Sequence, residues 1–332
     1  MDVKQIVQQF KDKKPEPLYL LHGEEAYYID VISNAAAEHL LEEHEKEFNF
    51  TTVYGKDVDA LQLLGQLKQY PMMADYQLVI LKEAQDLKNW DVLENYFSNP
   101  APTTVFIICH KYKKIDGRKK YAQVLKKKAL TFESKKLYEN QVDTWIQQFV
   151  KSKGFTISPK ASLLLVDALG TDLGKIAKEI EKLAIILEKG TEINEVHIEE
   201  NIGISKDYNP FELVNAIGSR DIQKAYQIIH YFEKNPKAAH ISQIIPTIFS
   251  FFDKLMRAHF LGIRDTQKFA ATFRLPPIVC KDYIRSMQIY KPKKIAKNIT
   301  LLHEYDLKSK GFNKGNATDA DLLKELIYQI TH

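Results

Sequence analysis

The sequence predicts an α/β domain built on a parallel sheet, followed by two all-helical regions. Three observations carry that expectation. Between Leu18 and Glu133, short β-rich runs alternate with helical patterns. Runs such as LYLL, LVIL and VFIIC are apolar at every position, as a strand requires when helices cover both faces of its sheet. From Glu139 onward the chain reads instead as helices punctuated by caps.

In order, the strand-like runs fall at 18–21, 51–54, 77–81, 104–109 and 130–133. Helical patterns separate them at about 25–46, 58–69, 88–98 and 118–128. This βαβα rhythm calls for parallel strands joined by helical crossovers. In the second region, Asn140 is placed to cap a helix that buries Trp145, Ile146, Phe149 and Val150 and stops at Gly154. Ser158 and Pro159 supply an N-cap and an N1 proline for a helix ending at Gly170. Thr171 or Asp172 caps the next, with Leu173, Ile176, Ile180, Leu183 and Ile186 at helical spacing up to Gly190. After a short extended piece, Asn194 caps a last small helix that runs to Gly203.

The polar, aperiodic stretch 204–209 reads as a linker, and Pro210 opens a third, all-helical region. Its helices fall at about 210–217, 221–233, 239–261, 266–273, 277–289, 292–308 and 319–331. The longest carries Ile241, Ile244, Ile245, Ile248, Phe249, Phe252, Leu255 and Met256 along a broad apolar face, suited to burial among other helices. Domains are therefore expected at 1–140, 141–208 and 209–332.

With 332 residues, 45% hydrophobic, 27% charged, 13 Gly and 12 Pro, the chain is long enough for real cores, and disordered or low-complexity classes are excluded. Cys109 and Cys280 lie far apart in apolar stretches, which leaves no CxxC site and points to a reducing, cytoplasmic setting. No apolar run reaches the roughly 18 residues of a membrane span. The net charge of +4 hides a segregation: 24–47 holds eight acids and one lysine, 111–128 nine basic residues and one acid, and 281–310 eight basic residues against three acids. Taken alone, such blocks read first as solvated faces.

A parallel sheet whose first strand ends in His22 and Gly23 invites comparison with the phosphate loop GxxxxGK[ST]. In that loop, glycines let backbone N–H groups wrap phosphate, a lysine neutralises it and a hydroxyl holds magnesium. Starting at Gly23 the chain reads GEEAYYID, so Tyr28, Ile29 and Asp30 stand at the glycine, lysine and hydroxyl positions. Glu24 and Glu25 would moreover repel a triphosphate. After the apolar run at 78–81, where an ATPase needs an acidic pair, Lys82 and Glu83 follow. No HExxH, GxSxG or SxxK motif replaces this chemistry, so neither a metal nor a cofactor is expected. His22 and His110 read as structural histidines.

The order of a defective nucleotide domain, a small helical domain and a helical third domain is specific. The carrying segments are LYLLHGEEAYYID at 18–30, PMMADYQLVILKEAQDL at 71–87, KIDGRKK at 114–120, GTDLGKIAKEIEKL at 170–183, NPFELVNAI at 209–217 and DLKSKG at 306–311. On these, the chain resembles the delta subunits of the bacterial DNA polymerase III clamp loader over essentially its whole length.

The resemblance implies an AAA+-like first domain with a degenerate phosphate loop, a helical lid and a C-terminal helical collar that joins subunits in a hetero-oligomeric ring. It implies no catalysis by the chain itself, which acts as part of a DNA-directed DNA polymerase holoenzyme. In the lid, Gly174 stands where active loaders carry the arginine of GxxLR. The family binds the ring-shaped sliding clamp (beta) and opens one of its interfaces while other subunits hydrolyse ATP. The implied clamp contact is Tyr70, Pro71, Met72 and Met73, the two methionines replacing the family's common leucine and phenylalanine. Composition alone would put that pair in a core. Lys114, Arg118, Lys119 and Lys120, read as the start of a helix, are implied to face the backbone of primer-template DNA. Two other readings fit parts of the sequence: a free-standing nucleic-acid-binding protein without sequence preference, and an NTPase with an unconventional phosphate loop.

Overall fold

The computed structural model describes residues 2–205, 207–236 and 238–332, and the chain divides into two compact units, Met1–Leu137 and Tyr138–His332. The first unit holds one five-stranded sheet of β1 (Leu18–Gly23), β2 (Phe50–Tyr54), β3 (Gln77–Lys82), β4 (Thr104–His110) and β5 (Leu130–Ser134). These are the five runs read from the sequence, each longer by one or two residues. The order is β2-β3-β4-β1-β5, and every pairing is parallel, with Leu18 opposite Phe106 and Tyr19 opposite Leu130.

Why the strands read as unbroken apolar runs is visible in the layers. On one face Tyr19, Leu21, Ile80, Ile107 and Cys109 pack with Ile6 and Phe10 of α1 (Val3–Lys11) and Ile29 and Ile32 of α2 (Ala26–His39). On the other face Leu18, Leu20, Val79, Phe106 and Ile108 meet Leu63 and Leu67 of α4 (Ala60–Leu67). Phe97 of α5 (Glu94–Ser98) and Leu125 of α6 (Lys120–Lys128) complete that layer. With both faces covered, period-2 alternation has no polar side to show.

Three details differ from the sequence reading. α1 was not expected; Asp2 and Gln5 form a reciprocal capping box at its start, and Ile6 and Phe10 bury its inner face. The single pattern at 25–46 is two helices, α2 and α3 (Glu43–Asn49), because the Glu42 N–H bonds the Glu45 carboxylate and starts a new N-terminus. The pattern at 88–98 opens as a 3-10 turn over Trp90–Leu93 before α5 begins.

The second unit opens with α7 (Glu139–Ser152), α8 (Pro159–Leu169), α9 (Leu173–Ile186) and α10 (Glu195–Ile202). Tyr138 is the N-cap of α7, so Asn140 lies inside the first turn and is not the cap. Ser158, Asp172 and Asn194 cap α8, α9 and α10 as their residue types dictate. Leu173, Ile176, Ile180 and Leu183 are buried, whereas Ile186 ends α9 exposed, one position beyond the inward stripe. A small parallel pair, β6 (Thr156–Ile157) with β7 (Glu192–Ile193), ties the loops together.

Seven further helices share one core: α11 (Pro210–Ser219), α12 (Ile222–Lys234), α13 (Ile241–Phe260), α14 (Thr266–Phe273), α15 (Pro277–Ile289), α16 (Pro292–Ser309) and α17 (Asp319–Thr331). On α13 the inward positions include Phe251 and Ala258, while Phe249 is exposed. Among the described residues no helix is long and apolar enough to cross a membrane.

Candidate functional site

In an open parallel sheet, ligands bind beyond the carboxyl ends of the strands, where successive crossovers leave in opposite directions. Here that place is between β1 and β4. The connection from β1 to α2 is only Glu24 and Glu25, so Tyr28, Ile29 and Asp30 lie within the first turns of the helix and do not form a loop. Ile29 is fully buried against the sheet.

The N–H groups that a phosphate loop would offer are turned onto protein. Glu24 N–H donates to the Ser134 carbonyl at 2.9 Å, and the Ser134 hydroxyl returns a bond to the Glu25 carbonyl at 2.7 Å. The Glu25 carboxylate caps α2, accepting from Tyr27 N–H at 3.0 Å, which sets a fixed negative charge at the helix N-terminus. Gly23 has φ +144°, and a Cβ there would sit 1.9 Å from the Ser134 carbonyl oxygen.

Beside it, the buried Lys111 ammonium bridges Asp30 at 2.8 Å and Glu83 at 3.1 Å. Burial works against that charge, but hydrogen bonds and attraction from the two carboxylates outweigh it and raise the lysine's pKa. Gln85 accepts from the Lys111 N–H and donates to Glu83, fixing both ends of the bridge. Lys82 ends β3, and Glu83 adopts a left-handed backbone, φ +49°. Lys111 belongs in sequence to the basic run 111–128, but its burial directly after an apolar strand marks it as an internal counter-ion. His22 and His110 are opposed on β1 and β4, both buried; His22 is pushed down to about 4, first by burial and then by the Lys126 charge.

The second place is the turn before β3. Tyr70, Met72 and Met73 are 85%, 60% and 98% exposed, and Pro71 is half-buried. The composition-based expectation of a core pair is thereby overturned: the methionines face outward. Met73 has φ +54°, a conformation that costs a non-glycine residue of order 1 kcal/mol or more unless its surroundings impose it. Asn49, at the end of α3 and fully buried, holds the Met72 backbone with two hydrogen bonds, 2.7 and 2.9 Å. Nothing in the sequence marked Asn49, because the contact spans 23 positions.

Of the basic residues, Lys114 pairs with Glu133 at 2.7 Å, Arg118 with Asp116 at 3.0 Å and Lys120 with Glu94 at 2.7 Å. Only Lys120 lies in α6, with Lys119 as its N-cap; Lys114 and Arg118 precede the helix, which corrects the expectation that all four begin it. Gly174 lies in the first turn of α9 beside the Asp172 cap. Among the described residues no group of three or more His, Cys, Asp or Glu is arranged to hold a metal ion.

Comparison with known proteins bears out the resemblance. Residues 19–135 match the family model described as DNA polymerase III, delta subunit. The DNA polymerase III subunit delta of Bacillus subtilis (strain 168) is 28% identical over 256 residues, 74% of each chain. The solved structure of a Bacillus subtilis DNA clamp loader delta protein shares the fold, with a TM-score of 0.56 and 23% identity over 99% of both chains.

Proposed function

We propose that the chain acts as a delta-type subunit of the DNA polymerase III clamp loader, the family to which it is similar, and that it binds the sliding clamp through Tyr70, Pro71, Met72 and Met73. By that contact it helps open one interface of the ring for loading onto primed DNA. The observation that carries this reading is an adjacent pair of exposed methionines on a pinned turn, where the resemblance locates the clamp contact. Methionine is flexible and polarizable and adapts to an apolar pocket. Burying both side chains contributes about 3–6 kcal/mol before entropy costs, enough to matter in a micromolar-to-nanomolar contact.

In the same reading the chain does not use ATP; partner subunits in a hetero-oligomeric ring do. Support comes from the Ser134 carbonyl taken up by Glu24 N–H, the Glu25 cap and the Lys111 bridge. Residues 141–208 act as the lid and 209–332 as the collar that joins those partners in the cytoplasm. Lys114, Arg118, Lys119 and Lys120 contact DNA phosphates without sequence preference. The basic side chains of Lys114, Arg118 and Lys120 are exposed within their ion pairs, which are worth little, so exchange for phosphate costs little.

The test is a pull-down with the purified sliding clamp of the same organism. Met72→Ala/Met73→Ala should abolish capture and leave the Tm within about 2 °C of the parent. Undiminished capture, or a large loss of stability, would refute the assignment.

A further inference from the structure

We propose that Asn49 is the positioning residue of the clamp contact: its side-chain amide fixes the Met72 backbone, so that Met72 and Met73 are presented in one conformation. The inference rests on the reading of Met72 and Met73 given above. It adds to that reading a residue that is 1% exposed and therefore touches no partner itself.

The geometry is that of a clasp. Met72 N–H donates to Asn49 Oδ1 at 2.7 Å, and Asn49 Nδ2 donates to the Met72 carbonyl at 2.9 Å. Nδ2 also donates to the Glu45 carbonyl at 3.0 Å, one turn back in α3. Both amide protons are thus used. Only this orientation of the side chain serves a donor and an acceptor of the same residue; a flipped amide would set donor against donor.

Among the described residues, residues 70–75 form no other hydrogen bond to the chain: the backbone bonds stop at Gln69 and resume at Gln77. An exposed, left-handed Met73 without such a hold would spread over many conformers, since unpaired turns lose little by moving. Holding it beforehand removes part of the ordering cost from the binding step. α3 is itself buttressed by its Glu42–Glu45 box, so the clasp is mounted on a rigid element.

The experiment is titration calorimetry of the full chain with the purified sliding clamp, run on a double-mutant cycle. Asn49→Ala should weaken binding about tenfold, equivalent to about 1.4 kcal/mol. In a background where only Met73 is removed, Met73→Ala, the further loss from Asn49→Ala should shrink, because Asn49 acts through the turn that presents that side chain. Asn49→Asp keeps the acceptor and loses the donor until protonated. Its affinity relative to the parent should recover as the pH is lowered from about 8 to about 5.5, and melting curves at each pH, showing the variant folded throughout the titration, separate this from the stability that a buried carboxylate also costs.

If Met72→Ala/Met73→Ala binds like the parent, the clamp-contact reading itself fails. If that variant is defective while Asn49→Ala binds like the parent or adds its full loss to Met73→Ala, the reading stands and the role of Asn49 is overturned. Should Asn49→Ala not fold, Asn49→Asp decides: parent-like affinity at every pH overturns the proposal, and pH-dependent recovery supports it.

Discussion

Lys111 carries the internal electrostatics of the sheet's carboxyl edge, because its ammonium is the shared partner of Asp30 on α2 and Glu83 after β3. Removing it leaves two carboxylates near one another without a counter-ion. Asp30 is more than a third exposed, so solvent screens part of the penalty that a fully buried pair would suffer. Lys111→Met should therefore cost about 2 kcal/mol at neutral pH, read as a lowered denaturation midpoint at unchanged m-value. The raised pKa keeps the wild-type lysine charged from acid through neutral pH; its contribution is lost only as pH rises through that value. In the variant the deficit should narrow on acidification, as the carboxylates take up protons. A deficit that is absent, or that grows toward acid, would contradict the bridge. At this scale the sequence was only partly legible. Met72 and Met73 were found through a resemblance. Lys111 was hidden in a run of charge, and Asn49 in a side-chain-to-backbone contact that has no periodicity. Burial and long-range hydrogen bonds are properties of the folded chain, and a linear pattern does not report them.

At the scale of elements, the two-residue connection between β1 and α2 decides what the domain can bind. Gly23 is needed there for two reasons: its φ of +144°, and the absence of room for a Cβ against the Ser134 carbonyl, which is backbone and cannot swing away. Gly23→Ala should break the β1–β5 junction and destabilise the chain by about 3 kcal/mol or more, or prevent folding. A parent-like melting curve would show that the junction is not as tight as described. The strands were readable because a strand covered on both faces must be apolar throughout, and most helices because caps are local chemistry: Ser158, Asp172, Asn194, Asn209 and Asp265 each bond an N–H two or three residues on. What escaped was short or mixed: α1, the break between α2 and α3, and the 3-10 turn at Trp90–Leu93. In the last two, a few hydrogen bonds decide the geometry and no hydrophobic period is long enough to announce it; α1, by contrast, carries Val3, Ile6, Val7 and Phe10 at helical spacing and was legible in the sequence.

For the whole molecule, the small net charge is the sum of separated parts, and the chemistry is divided in the same way. The carboxyl edge of the sheet, where open parallel sheets hold ligands, is filled by the chain's own groups. The exposed methionine turn lies outside that edge. On the function proposed above, the chain engages the sliding clamp without using nucleotide. The most direct measurement is a calorimetric titration of the clamp into the purified chain, with and without ATP and magnesium. The expected result is saturable binding of micromolar or tighter affinity, the same in both conditions and lost in Met72→Ala/Met73→Ala. No binding by the wild-type chain, or binding that appears only with ATP, would contradict the account.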